Sequence, residues 1–174
     1  ILPHCAEWLD ALPGRILEAV QAAMADLRPA MAIPGRETVR DAGSVRVCRQ
    51  KNGHELFGRA DSIGPAGPCD RELLALRLCD LQGETRAMVI NHAMHPDTIG
   101  GSKADFISAD WPGEICKNIA HVYGRDVVTV FLNGCCGDIN HGIDHPTRRV
   151  RSGEARAVSM GRTLAAAAIL ATEQ

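Results

Sequence analysis

The sequence predicts an α/β fold, a mixed β-sheet sandwiched by helices. Three observations carry that prediction. Segments with apolar residues at helical spacing alternate with short β-type runs. One run, Val127-Val128-Thr129-Val130-Phe131-Leu132, is apolar almost without interruption over the length of a strand. A polar, glycine-bearing turn follows it directly, where α/β proteins place their sites. At 174 residues the chain is long enough for one domain with a sizeable core, so residues 1–174 read as a single α/β unit.

The elements follow in order. Residues 7–27 set Trp8, Leu9, Leu12, Ile16, Val20 and Met24 at three- and four-residue steps, which predicts a helix. Pro13-Gly14 falls inside it and predicts a kink or a division into two. Residues 44–49 read as a strand, and residues 53–68, with several Gly and Pro, as a long loop. Residues 73–79 and 86–91 form two strands joined by a short turn at Gly83, the pattern of a hairpin. Ser108-Ala109-Asp110 opens a second helix, with Asp110 as N-cap, Pro112 in the first turn and Gly124 as the stop. Residues 127–132 predict a strand buried on both faces. Residues 153–171, rich in alanine, predict a third helix suited to close packing on a sheet.

Composition narrows the function classes. A formal net charge of -2 offers no electrostatic pull on nucleic acid or an anionic membrane. The basic run Arg148-Arg149-Val150-Arg151 reads as a solvated loop. No apolar stretch reaches membrane-spanning length without charges. Seven cysteines (Cys5, Cys48, Cys69, Cys79, Cys116, Cys135, Cys136) contain no CxxC pair, which argues against a structural zinc knot, and their scatter leans toward a reducing compartment. With aromatic residues at 3%, a sugar-stacking platform is poorly supplied. The chain opens at Ile1 with no initiator methionine and no signal-peptide pattern, and is expected to be an internal piece of something longer.

The chemistry-bearing residues concentrate between Val89 and His145. A strand runs into Asn91-His92-Ala93-Met94-His95-Pro96, placing two histidines where a sheet can present them at a cleft. In an extended strand, positions three apart face opposite ways, so one of the two is the expected ligand, against a purely structural role for both. Asp110 is either a simple helix cap or a group that orients a ligand. Asn133-Gly134-Cys135-Cys136-Gly137-Asp138-Ile139-Asn140-His141 is either a site loop, its glycines admitting close backbone approach, or a tight turn with cysteines as filler. His141, Asp144 and His145 read either as solvated loop residues or as part of another metal cluster.

Taken in order, Ile90-Asn91-His92-Ala93-Met94-His95-Pro96, Ile107-Ser108-Ala109-Asp110-Trp111-Pro112-Gly113 and Phe131-Leu132-Asn133-Gly134-Cys135-Cys136-Gly137-Asp138-Ile139-Asn140 resemble successive motifs of the neutral/alkaline non-lysosomal ceramidase family, above all its bacterial members. Asp70 to Leu78 resembles the strand before the family's zinc-ligand strand, and Gly58-Arg59 its arginine-bearing loop. The resemblance extends over nearly the whole chain.

It implies a zinc-dependent hydrolase of amide or ester bonds, with zinc-bound water attacking the carbonyl of a small-molecule or lipid-like N-acyl substrate. His95 would be a zinc ligand and Arg59 the arginine that contacts the substrate beside its scissile bond. Gly137 and Asp138 would shape the loop that carries the family's nucleophilic serine, with Gly137 beside the substrate, and Asp110 and Asp138 would support the site from behind. Asn140 stands at the serine position, and an amide cannot be activated as a hydroxyl can. The family's first zinc histidine belongs to a motif that His4 lacks around it, and its glutamate and tyrosine ligands fall beyond this chain. The remaining ligands would come from missing parts of the same domain. The family's secreted or membrane-facing members stand against the cytoplasmic leaning of the thiols, so the compartment stays open. Two other readings are a two-metal phosphoesterase built on Asp138, His141, Asp144 and His145, and a non-catalytic ligand-binding module in which Asn140 marks lost chemistry.

Overall fold

A computed structural model describes residues 3–40, 43–57, 62–99, 106–141 and 152–173. The chain divides into two compact units, Ile1–Ala30 and Met31–Gln174. The first is built on one helix, α1 (Pro3–Ala25), which runs through Pro13 without a break. Proline removes a single backbone donor there, and the other turns keep theirs.

The second unit is organised by a four-stranded mixed sheet in the order β1-β6-β7-β8. Its strands are β1 (Met31–Thr38), β6 (Glu72–Cys79), β7 (Thr85–His92) and β8 (Val128–Asn133), with β2 to β5 in smaller sheets between them in sequence. β6 and β7 form the expected hairpin. Its turn is stitched by Asp80, whose carboxylate accepts the amides of Gln82 and Glu84 and grips the Arg86 guanidinium, while Gly83 supplies a φ of 89°. β7 and β8 run parallel and are joined by α2 (Asp110–Tyr123). Parallel strands deliver their carboxyl ends to the same edge of the sheet, which decides where the site lies.

α2 packs on α3 (Glu154–Glu173), and α3 lies over β1 and β6. The core between helices and sheet holds Leu73, Met88, Ile90, Trp111, Ile115, Ile119, Met160 and Leu164. Trp111 meets Phe131 edge to face at 4.8 Å. The alanine-rich face of α3 does allow close approach: a Cβ at Gly35 of β1 would overlap the carbonyl of Ala171, and one at Gly161 would overlap Glu114 of α2. Gly124 ends α2 as expected, with φ 108° and its amide on the Ala120 carbonyl.

Several expectations are corrected. β1 was not foreseen, because Pro34 and Gly35 lie within it; it is an edge strand, where a proline is tolerated. The strand expected at 44–49 is two, β2 (Ser44–Val45) and β3 (Val47–Gln50), because Arg46 between them bonds elsewhere. The long loop expected at 53–68 contains β4 (Glu55–Phe57) and β5 (Ser62–Pro65), which flank β3 in a three-stranded sheet. These strands are too short to show a pattern of their own, and β3 organises them. β8 is not buried on both faces: Val128, Val130 and Leu132 are 60%, 41% and 51% exposed. They share the face of the sheet opposite α2 and α3 with Leu74.

Among the described residues, no helix is long and apolar enough to cross a membrane. All seven cysteines are free.

Candidate functional site

The site forms where the parallel strands β7 and β8 end. His92 is opposite Asn133 in the register, and beyond them both chains leave the sheet at the same edge. Gly134 donates its amide to the His92 carbonyl at 3.1 Å. Its lack of a side chain is used: a Cβ there would stand only 3.1–3.2 Å from the backbone and Cβ of Ala93. The β8 chain then loops through Cys135 to Asp138 and returns as β9 (Ile139–Asn140), which pairs with β2.

His95 is held on every side by this return. Its amide donates to the Ile139 carbonyl at 2.9 Å, and its own carbonyl accepts Nε1 of Trp111 at 3.1 Å. The ring is fixed as well: Nδ1 donates to the Cys136 carbonyl at 2.6 Å and approaches that of Ile139 at 3.2 Å. Carbonyl oxygens accept only, so Nδ1 carries a proton and, in the neutral ring, the lone pair is on Nε2. That is the tautomer a metal-ligating imidazole needs, with the backbone in the supporting role that usually fixes such a ring.

His92 carries the same tautomer, its Nδ1 donating to the Glu72 carbonyl at 2.9 Å. It is 1% exposed, and its Nε2 is buried without a partner among the described residues. Burial pushes its pKa below the usual histidine range, against the opposing effects of the Glu72 carbonyl and the Asp70 charge. His92 is therefore neutral at the core edge of the site.

Asp110 is a clamp rather than a conventional cap. The N-cap position belongs to Ala109, and Asp110 takes a left-handed φ of 51°. One carboxylate oxygen accepts the amide of Trp111 at 2.7 Å, the other that of Ile99 at 2.7 Å, and Ser108 Oγ accepts the Asp110 amide. The start of α2 and the segment after His95 are thus tied together by one buried carboxylate.

Gly137 and Asp138 are positioned through backbone. Arg46, between β2 and β3, donates its amide to the Asp138 carbonyl at 2.7 Å and its guanidinium Nη2 to the Gly137 carbonyl at 2.8 Å, while lying over the Phe57 ring. Asn140 pairs with Ser44 across β9 and β2, and its Oδ1 is buried with no partner among the described residues. His141 binds Asp97. Arg59 lies outside the described residues, as do Gly58, Asp144, His145 and the run Arg148 to Arg151. Among the described residues, no group of three or more His, Cys, Asp or Glu side chains is placed to hold a metal ion.

No protein-family model and no curated protein sequence matches the chain. Its architecture does match solved structures. The crystal structure of neutral ceramidase from Pseudomonas aeruginosa superposes with a TM-score of 0.70 at 18% identity, over 91% of this chain and 25% of that one. A ceramidase complexed with C2 superposes with a TM-score of 0.69 at 18% identity, over 88% of this chain and 24% of that one. The fold is that of one part of a neutral ceramidase. The chain spans about a quarter of the length of those ceramidases. The ceramidase resemblance read from the ordered motifs therefore has its counterpart in three dimensions.

Within this fold hydrogen bonds tie His95 to Cys136 and Ile139 of the returning loop and, through Trp111, to the start of α2 beside Asp110, while Arg46 holds Gly137 and Asp138. The sequence reading overlooked Arg46 and Asp97. Arg46 stands alone between two β-type runs and belongs to no motif; its role comes from a contact 91 positions away in sequence. Asp97 stood in plain view two residues after His95, but only its partner gives it a role.

Proposed function

We propose that the chain is part of a zinc-dependent, ceramidase-like hydrolase that cleaves an amide or ester bond in a small-molecule or lipid-like N-acyl substrate. The observation that carries this reading is His95, within a neutral ceramidase fold, its ring clamped by the Cys136 and Ile139 carbonyls so that Nε2 holds the lone pair. The His95 imidazole is a good ligand for a borderline metal. His95 would supply one ligand, and the rest would come from parts of the same catalytic domain beyond these residues. Zinc in such a site supplies Lewis acidity that activates water toward a carbonyl.

The chain's own residues then have distinct tasks. Trp111 and the Asp110 clamp hold the His95 segment against the start of α2. Arg59 orients the substrate and stabilises charge developing on its carbonyl oxygen. Gly137 lets the loop backbone approach the substrate, with Asp138 anchored behind it. Asn140, in the place of a serine, offers polar contact but no nucleophile, so water attacks directly.

The test is zinc per chain in the intact gene product, measured by elemental analysis beside His95→Ala, followed by hydrolysis of a panel of N-acyl amides and esters. About one zinc per chain, lost in the variant, is the expected result. Absence of zinc from the intact protein, or zinc indifferent to the substitution, removes His95 from the site.

A further inference from the structure

Asp97 and His141 meet across two separately anchored segments. Oδ1 of Asp97 lies 2.9 Å from Nδ1 of His141, with the His141 side chain 11% and the Asp97 side chain 38% exposed. Asp97 is pinned on both sides. Upstream, His95 is bound to Ile139 and Trp111; downstream, the Thr98 carbonyl accepts the Gly153 amide at 2.7 Å and the Ile99 amide goes to Asp110. His141 follows β9, which is itself paired to β2. The two segments also keep step, since His95 bonds to Ile139 and, two residues further on each, Asp97 bonds to His141. Backbone held this firmly keeps a side-chain pair in one geometry.

A carboxylate accepts hydrogen bonds and donates none, so Nδ1 of His141 carries a proton, and in the neutral ring Nε2 holds the lone pair. The result is a base whose tautomer and ring orientation are set by its neighbour. Among the described residues no third ligand joins the pair to make a metal site. On the hydrolase reading above, in which Asn140 stands in place of a nucleophile, direct attack by water requires a group to take and return a proton.

We propose that His141, oriented by Asp97, is the proton-transfer group of the hydrolysis beside His95, an inference that rests on the hydrolase reading above. The oxygen of the attacking water bonds to the acyl carbon as its proton passes to Nε2 of His141. The bond from that carbon to the leaving nitrogen then breaks, and His141 returns the proton to the nitrogen, giving an acid and an amine. Asp97 is a positioning residue that acts through His141.

The experiment uses the full-length, zinc-loaded protein and the N-acyl panel, with His141→Gln, His141→Gly and Asp97→Asn. His141→Gln is expected to lower kcat roughly 10²–10⁴-fold with little change in KM or zinc content. Asp97→Asn is expected to lower it roughly 10–100-fold. Added imidazole is expected to restore part of the activity of His141→Gly, which it would not do for a residue that only joins two segments. A His141→Gln protein with kcat close to the parent's overturns the proposal, as does a loss that follows zinc content or melting temperature and resists imidazole. An intact protein that cleaves nothing in the panel overturns the hydrolase reading and this proposal with it. Hydrolysis that survives His141→Gln overturns this proposal alone.

Discussion

The Nδ1 atom of His95 lies 2.6 Å from the carbonyl oxygen of Cys136, a residue of the loop that returns from β8. The tautomer of His95, the ligand proposed above, is therefore set by the path of a backbone, and no neighbouring side chain is needed for it. The loop reaches that position because Gly134 passes against Ala93 with no Cβ between them. Sequence changes that redirect the loop should then act on metal affinity before they act on folding.

Gly134→Ala tests this directly. The added Cβ would press on the Ala93 backbone, which sits just past β7 and is buried, so the loop has to shift. Zinc affinity of the intact protein is expected to fall roughly tenfold or more, measured by competition with a chelating dye, while the far-ultraviolet circular dichroism stays unchanged. Unaltered affinity would show that the Cys136 carbonyl does not set the ligand.

Arg46→Lys keeps the amide bond to Asp138 but loses the planar fork that reaches Gly137 and lies over Phe57. The expected cost is about 1 kcal/mol in urea unfolding. Zinc binding should weaken as well, since the same loop carries Cys136. A variant with parental stability and parental zinc affinity would leave Arg46 without a structural role.

Two glycines give opposite expectations. Gly35→Ala places a methyl group on the Ala171 carbonyl and should destabilise by about 1–3 kcal/mol. Gly14 lies inside α1 with nothing within 4 Å of a built Cβ, so Gly14→Ala should stabilise by about 0.5–1 kcal/mol. Urea midpoints of both variants decide the matter, and equal shifts would refute the packing of α3 on β1.

His92 makes stability depend on pH with a definite sign. Burial lowers its folded pKa below the unfolded value of about 6.5, so between the two the unfolded chain binds the extra proton. Its contribution is complete above the unfolded value and is lost as pH falls through that value toward the folded one. Between pH 7 and 5 the parent should therefore lose stability more steeply than His92→Asn, by at most about 1.4 kcal/mol per pH unit. Parallel curves would mean that His92 is not held neutral.

Tyr123, the single tyrosine, has its pKa raised to about 12 by burial and by the hydrogen bond it donates to Glu173, which also binds Arg77. Absorbance at 295 nm should show no phenolate in the native protein below roughly pH 11, with the midpoint returning to about 10 in urea. A native midpoint near 10 would place the ring in water.

Much of the fold was legible in residue order. Start and stop residues predicted α2 and an alanine-rich run predicted α3 closely, Gly124 and Gly83 marked a helix end and a turn through their backbone freedom, and the β6–β7 hairpin followed from two runs and the turn between them. The motifs around His95, Asp110 and Asn133 to Asn140 likewise announced a ceramidase fold, because several motifs in order at fixed spacing are more specific than any one of them. Arg59 falls outside the described residues, so its place rests on the motif alone.

What tertiary structure decided was every property that needs a distant partner. β1 exists because β6 offers it an edge, despite Pro34 and Gly35, and β8 leaves one apolar face exposed where its composition suggested burial on both. The choice of proton on His95, the grip of Arg46 on Gly137 and the meeting of Asp97 with His141 each join residues more than 40 positions apart. Local propensity and periodicity are encoded along the chain and can be read from it. Hydrogen bonds between separate segments depend on where the sheet delivers them, and the sheet is a product of the whole fold.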